Sequence, residues 1–167
     1  MMQPYPQPPG YPMSYPYQMP AAKRPAASVP GLIIATVGAA ATIIGFFTPW
    51  YSADGANTKL KDIVTAVKPD GAPGLAHAWF GWLMWVVFGL AAIAAFVAVL
   101  PSPAGTAFRV IAPLLGLVGA VLVYAALNSL TSKNDASPFD HAGIGLWLTL
   151  LGFVVVGVGG ALGGSSA

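Results

Sequence analysis

Four long apolar segments constrain the fold of this chain more than any other feature. They are 20 to 22 residues long and cover residues 31–51, 79–100, 107–127 and 143–162. A helix of about 20 residues crosses the roughly 30 Å hydrocarbon core of a bilayer, whereas a spanning strand needs only about 10 residues of alternating polarity. The pattern therefore predicts an all-α membrane protein whose domain, residues 31–164, is a bundle of four transmembrane helices.

Charged residues are too few to coat a soluble protein of this size. The 167 residues include seven Lys or Arg and five Asp, so 7% are charged, against about 25% in a typical soluble domain. This excludes an ordinary soluble enzyme, and a net charge of +2 provides no basic surface for nucleic acid. The chain also lacks cysteine, which excludes disulfides, thiolate metal sites and cysteine nucleophiles.

The first 30 residues differ in composition from the rest. They hold nine of the sixteen prolines and four tyrosines. Proline fixes φ and lacks the amide donor, so we expect a disordered tail, partly in the polyproline II conformation. The tail is either an inert solvated segment or a docking segment for a partner. In the second interpretation its tyrosines, Tyr5, Tyr11, Tyr15 and Tyr17, make the contacts. Residues 165–167 are predicted to form a short C-terminal tail.

The arrangement of four spans places both termini on one side of the membrane and loops 52–78 and 128–142 on the other. All five Asp belong to the loop side. The counts of Lys and Arg are similar on the two sides, but the first helix usually dominates orientation. Because Lys23 and Arg24 precede that helix, we expect both termini to lie in the cytoplasm.

The first outer loop contains a helical pattern. Leu60, Ile63, Val64 and Val67 follow the i, i+3, i+4, i+7 spacing of one helix face, and Pro69 ends the segment. We predict a short amphipathic helix of roughly eleven residues. It either covers the helix ends as a lid or lies on the outer leaflet.

The five tryptophans all lie near the loop side of the membrane. They are Trp50, Trp79, Trp82, Trp85 and Trp147. One interpretation is a one-sided aromatic belt at the headgroup level. In the other, Trp79, Trp82 and Trp85 form a stripe on one helix face, because they are three residues apart. Such a stripe would pack against a partner protein or lipid.

Small residues recur four positions apart within the spans. The pairs are Ala41/Gly45, Gly116/Ala120, Gly159/Gly163 and Gly160/Gly164. Such pairs let helix backbones approach closely in lipid. Packing within the chain would use most of them. The glycine-rich end of the fourth helix, with Gly159 and Gly163, is also a candidate face for a homo-oligomer.

Few side chains in the sequence could transport an ion, bind a metal or take part in catalysis. No ionisable residue lies in the middle of a span, which disfavours a proton pump or ion transporter. His77, His141 and Asp140 have the side chains of a zinc site, but their spacing fixes no geometry, and satisfied interfacial histidines are the preferred interpretation. We expect no catalytic residue, no metal and no cofactor.

Two stretches carry a family resemblance, Pro9-Gly10-Tyr11-Pro12 in the tail and Trp82-Leu83-Met84-Trp85-Val86-Val87 in the second span. With these, the chain resembles a group of small actinobacterial membrane proteins that includes the mycobacterial thirty-four-kilodalton antigenic protein family. The resemblance implies a Pro/Tyr-rich tail before four spans and an accessory role in the cell envelope or at the division site.

Three functions are therefore considered for the chain. The first is a non-catalytic accessory or scaffold protein of the bacterial inner membrane, with a role in the envelope, division or respiratory machinery. It would contact the lipid bilayer and a protein partner or a second copy. The second is a phage- or prophage-encoded membrane protein for superinfection exclusion or holin-like lysis. The third is a small transporter or channel, which needs a polar central path that the spans do not provide.

Overall fold

The computed structural model describes residues 28–53, 55–67, 74–131, 137 and 139–164. Within these residues, four helices are long and apolar enough to cross a membrane. They are α1 (Val29–Phe47), α3 (Gly74–Ala98), α4 (Pro103–Thr131) and α5 (Ile144–Ala161). The predicted set of four apolar helices is confirmed. The tail tyrosines and the predicted C-terminal tail lie outside the described residues.

The connection between α1 and α3 contains the elements that least resemble the sequence-based prediction. A hairpin of β1 (Pro49–Ala53) and β2 (Ala56–Lys59) precedes the short helix α2 (Leu60–Val67). The predicted helical fold is confirmed in its main features, and the hairpin is an element that the sequence pattern did not predict. Helix α1 ends at Phe47 because Thr48 is extended, with φ −92° and ψ 162°, as the residue before a proline prefers.

The first and last helices make the closest contact in the bundle. Helix α1 packs mainly against α5, and both carry glycine at intervals of seven residues. These glycines are Gly31, Gly38 and Gly45 on α1, and Gly145, Gly152 and Gly159 on α5. A Cβ atom on Gly38 would lie 2.5 Å from the backbone nitrogen of Val156. The seven-residue spacing keeps small residues on one face, so the two antiparallel backbones touch.

The buried core changes in character along the bundle. Near the hairpin it contains large side chains, among them Trp50, Trp79 and Phe153. Near the termini it is built mainly from alanines, such as Ala95 and Ala112. Small side chains let helices approach closely, so the alanine cluster allows close contact between the helices at the end of the bundle where α1 begins.

Ser28 links three helix ends at that side of the bundle. Its hydroxyl donates to the carbonyl oxygen of Leu162 at 2.9 Å and accepts from the Gly31 amide at 3.3 Å. The Ser28 amide also donates to the Val99 carbonyl at 3.4 Å. Ser28 therefore caps the start of α1 and ties it to the segments that follow α3 and α5.

The hairpin is anchored on both of its edges. On one edge β1 pairs with β2, with Tyr51 opposite Thr58. On the other edge, the Ser52 amide donates to the His141 carbonyl at 2.9 Å, and the Gly143 amide donates to the Trp50 carbonyl at 2.7 Å. Strand β1 therefore lies between β2 and the segment that leads into α5.

Candidate functional site

One end of the bundle carries the candidate functional residues, and we call it the capped end. It consists of β1, β2, α2 and residues 139–143, which lie beside the ends of the long helices. Burial raises the pKa of the Tyr51 phenol on β1. The capped end brings together most of the tryptophans that the sequence places near one membrane interface.

Helix α2 packs its apolar side against the bundle. Leu60, Ile63 and Val67 are buried in the same cluster as Trp50 and Trp79. The Asp62 carboxylate accepts the backbone N–H of the residue that precedes α2 at 2.9 Å, as in one half of a capping box. The helix has eight residues, fewer than the sequence pattern indicated.

Trp50 fixes the hairpin to the end of α1. Its side chain is fully buried, and its indole Nε1 donates to the Gly45 carbonyl at 2.9 Å. The last carbonyls of a helix lack backbone partners within the helix, and the Gly45 carbonyl is satisfied by this bond together with a longer one from the Thr48 hydroxyl at 3.3 Å. The Trp50 ring also meets Phe80 edge-on, with centroids 5.9 Å apart.

Trp79 is buried where α3 changes its winding. A single π-helical turn covers Trp79–Leu83, and such turns are frequent at functional sites. The Trp79 side chain is fully buried, yet its Nε1 has no hydrogen-bond partner among the described residues. Leaving a buried donor unpaired costs about 1–3 kcal/mol.

The predicted tryptophan stripe is wrong for one of its three members. Trp82 and Trp85 are 59% and 49% exposed, whereas Trp79 lies in the core. The wider π turn begins at Trp79, so a spacing of three residues there does not keep side chains on one helix face. Of these three tryptophans, Trp82 and Trp85 lie on the exposed surface.

Three aromatic rings form a continuous stack at the capped end, which we call the aromatic stack. Tyr124 of α4 stacks on Phe139 with centroids 5.7 Å apart, and Phe139 stacks on Trp147 of α5 at 5.3 Å. Their exposed fractions lie between 39% and 46%. The sequence placed Trp147 near this interface but did not identify Phe139, which lies in a loop and has no periodic neighbours.

A groove runs between α1 and α3, because both helices pack on α5 but touch each other little. At the capped end the groove widens into a cavity of about 550 Å³, whose lining includes Phe47, Lys59, Lys61 and Trp85. The two lysines were not identified as site residues, because they are separated in sequence from the aromatic residues that they approach.

The two glycines of the predicted self-association face on the fourth helix, Gly159 and Gly163, are buried within the chain. Gly159 is buried against Ala35 of α1, and a Cβ atom on Gly163 would lie 2.5 Å from the Ala98 carbonyl oxygen. Both glycines are therefore used for packing within the chain, as small residues in lipid-embedded helices commonly are.

The histidines make separate local contacts. His77 Nδ1 lies 3.2 Å from the Val67 carbonyl oxygen. The Asp140 carboxylate accepts the Ser137 amide at 2.9 Å, and His141 has a φ of 61°. Within the described ranges, no group of three His, Asp or Glu side chains is arranged to hold a metal ion.

The four long apolar helices indicate a multi-pass membrane protein. Comparisons with protein-family models, with curated proteins and with solved structures find no match.

Proposed function

We propose that this chain is a non-catalytic accessory or scaffold protein of the bacterial inner membrane. It would act through protein–protein contacts in the envelope, division or respiratory machinery. The observation that carries the proposal is the aromatic stack, in which three half-exposed rings from α4, α5 and the loop between them form one surface. Aromatic side chains are enriched in protein interfaces because they are rigid and bury a large area.

The helix that carries Trp147 is closely packed within the bundle. Helix α5 contributes Trp147 to the stack and also makes the closest backbone contacts with α1. Because the backbones of α1 and α5 touch at those glycines, α5 cannot shift there without a clash, and Trp147 is held by a closely packed helix. A preorganised surface loses less entropy when a partner binds, which suits a scaffold.

The buried hydroxyl groups of the spans favour a packing role over a solute path. The Thr42 hydroxyl donates to the Gly38 carbonyl at 3.0 Å, and the Thr149 hydroxyl donates to the Gly145 carbonyl at 2.8 Å. Each bond stays within its own helix. These two groups are therefore engaged and do not line a path for an ion or a polar solute.

The proline- and tyrosine-rich tail would provide a second contact region. In the proposed orientation both termini lie in the cytoplasm, and the capped end faces outward. The resemblance to small actinobacterial envelope proteins supports the same role. In this arrangement the tail binds cytoplasmic partners, whereas the aromatic stack binds partners on the outer side.

Crosslinking in the native host followed by mass spectrometry tests the proposal. Three variants are compared with the parent: deletion of residues 1–30, the double variant Phe139→Ala/Trp147→Ala, and the control Phe96→Ala. Phe96 is an exposed aromatic residue of α3 outside the aromatic stack. We expect the deletion and the double variant each to lose a distinct set of envelope proteins, and the control to lose none. An unchanged partner set in both test variants would contradict the scaffold role.

The phage-encoded alternative predicts a different phenotype. Expression in a heterologous bacterium would then depolarise the membrane, lyse the cell or block entry of infecting DNA. Membrane potential, lysis and plaque formation are measured after induction, with Phe139→Ala/Trp147→Ala as the matched variant. We expect no effect of either chain. Depolarisation, lysis or blocked infection with the parent chain would replace the scaffold proposal by the phage alternative.

A further inference from the structure

The groove between α1 and α3 combines an apolar wall with two cations at its mouth. We propose that this groove binds one anionic phospholipid at the capped end. The lipid phosphate contacts the ammonium groups of Lys59 and Lys61, and an acyl chain lies against Phe47 and Trp85. This site is separate from the aromatic stack and does not depend on the proposed scaffold role.

The charge of the cavity selects an anion. All charged side chains of its lining are positive; the lining residues are Phe46, Phe47, Lys59, Leu60, Lys61, Val64, Thr65 and Trp85. The nearby acid, Asp62, directs its carboxylate to the backbone N–H of Lys59 at 2.9 Å. That carboxylate caps α2 and does not line the cavity; with it included, the three charged side chains still carry a net positive charge, and both lysines are exposed.

The position of the lysines matches the headgroup level. Phe47 is the last residue of α1, so the hydrocarbon core ends near this point, and the lysines belong to the hairpin and to α2 just beyond it. Lysine at such a boundary places its ammonium group in the polar region and its methylene groups along apolar surface. Tryptophan prefers the same boundary, and Trp85 lines this cavity.

The wall of the groove is suited to an acyl chain. Phe46 packs edge-on against Trp85 with ring centroids 4.8 Å apart, which forms a continuous aromatic surface between α1 and α3. Phe47 is 72% exposed. A second, smaller cavity of about 150 Å³ lies further along the same two helices and is lined by residues such as Ala39 and Phe96. A chain that enters below the lysines therefore has an apolar path.

A phospholipid fills this site better than a soluble anion does. A free phosphate would contact the lysines but leave the aromatic wall uncovered, whereas a lipid covers both parts. The volume of about 550 Å³ lies within the roughly 300–1,000 Å³ range of small-molecule sites. A lysine near an anionic membrane surface favours binding by about fivefold, so two lysines should give a clear preference over a zwitterionic lipid.

A fluorescence-quenching experiment on the full chain in nanodiscs tests the proposal. The chain is free of cysteine, so an Ala66→Cys substitution allows a single bimane label on α2. Ala66 is exposed and outside the cavity lining. Nanodiscs of phosphatidylcholine receive a small, equal fraction of either brominated phosphatidylglycerol or brominated phosphatidylcholine. We expect much stronger quenching by the brominated anionic lipid.

Matched variants test whether the preference for the anionic lipid arises at this cavity. Lys59→Gln and Lys61→Gln should each reduce the preference by about fivefold, and the double variant should remove it. Lys59→Arg/Lys61→Arg keeps both charges and should retain the preference, as should Arg109→Gln, which removes a charge from the opposite end of the bundle. Thr65→Phe narrows the cavity without a change of charge and should weaken quenching by the anionic lipid.

Three results would overturn the proposal. The first is equal quenching of the parent by the two brominated lipids. The second is a preference that survives Lys59→Gln/Lys61→Gln, and the third is unchanged quenching in Thr65→Phe. Thermal unfolding of each labelled variant confirms that it is folded. If the glutamine variant unfolds, the Lys59→Arg/Lys61→Arg variant is measured instead. Raising the salt concentration screens its two charges and should abolish the preference for the anionic lipid. A preference that salt does not change would then contradict the proposal.

Discussion

Gly45 and Gly145 face each other so closely that a Cβ atom added to either residue would lie 2.8 Å from the carbonyl oxygen of the other. The contact is reciprocal and involves backbone on both sides, so neither helix can move aside at this point without separating from the other. In lipid, where burial of apolar surface does not drive helix association, such close van der Waals contact is a main source of stability.

Substitution of a glycine in this interface should destabilise the bundle. In Gly38→Ala the new Cβ atom would lie 2.5 Å from the Val156 nitrogen, so α1 and α5 must separate, at a cost of about 1–3 kcal/mol. The matched control is Gly89→Ala on α3, where a Cβ atom meets nothing within 4 Å and helix propensity improves by about 1 kcal/mol. Thermal unfolding in detergent micelles measures both. A control that loses as much stability as Gly38→Ala would contradict the glycine contact.

The two buried tryptophans should respond differently to the same substitution. Trp50→Phe removes the bond to the Gly45 carbonyl and should cost about 1 kcal/mol for that bond, in addition to lost packing. Trp79→Phe removes an indole N–H that has no partner in the described structure, so only packing is lost. Comparison of their unfolding temperatures gives the difference. If Trp79→Phe is the more damaging variant, the Trp79 N–H has a partner in the membrane-embedded protein.

The linkage made by Ser28 should contribute to stability at the opposite end. Ser28→Ala removes the cap of α1 and the bond to Leu162, and loss of a cap costs about 1 kcal/mol. Thr36→Ala is the control, because the Thr36 hydroxyl donates only within its own helix, to the Leu32 carbonyl at 2.8 Å. Thermal unfolding in detergent micelles should give a lower midpoint temperature than the parent for Ser28→Ala and an unchanged one for Thr36→Ala. Equal midpoints would argue against the linkage.

Single cysteines test the proposed orientation. Ser52→Cys and Ser137→Cys lie at the capped end, where both serines are exposed, and Ser14→Cys lies in the tail. A membrane-impermeant maleimide added to intact spheroplasts should label the first two and not the third. Permeabilised spheroplasts provide the control, in which all three should react. Labelling of Ser14→Cys alone in the intact spheroplasts would invert the orientation.

The long apolar runs were sufficient to predict the four helices, because length and hydropathy decide that a segment can span a bilayer. They could not reveal the hairpin, since Pro49 to Tyr51 continues the apolar run and the second edge of β1 is held by a residue far away in sequence, Ala142. Trp79 was misplaced because its burial depends on the π turn and on neighbours from other elements. The glycines at intervals of seven residues on α1 and α5 are visible in the sequence, but the prediction of close packing used only small residues four positions apart. Neither spacing reveals which two helices pack against each other.

The contact between the first and last helices sets a constraint on biosynthesis. Gly145 follows Gly45 by a hundred positions, and ribosomes add about 5–20 residues per second, so α1 waits about 5–20 s for its main neighbour. During this interval its glycine face is covered by lipid or by the insertion machinery. Closure of the bundle is therefore a late event that requires the complete chain, and a ribosome that stalls before α5 leaves α1 without the helix it is shaped to meet.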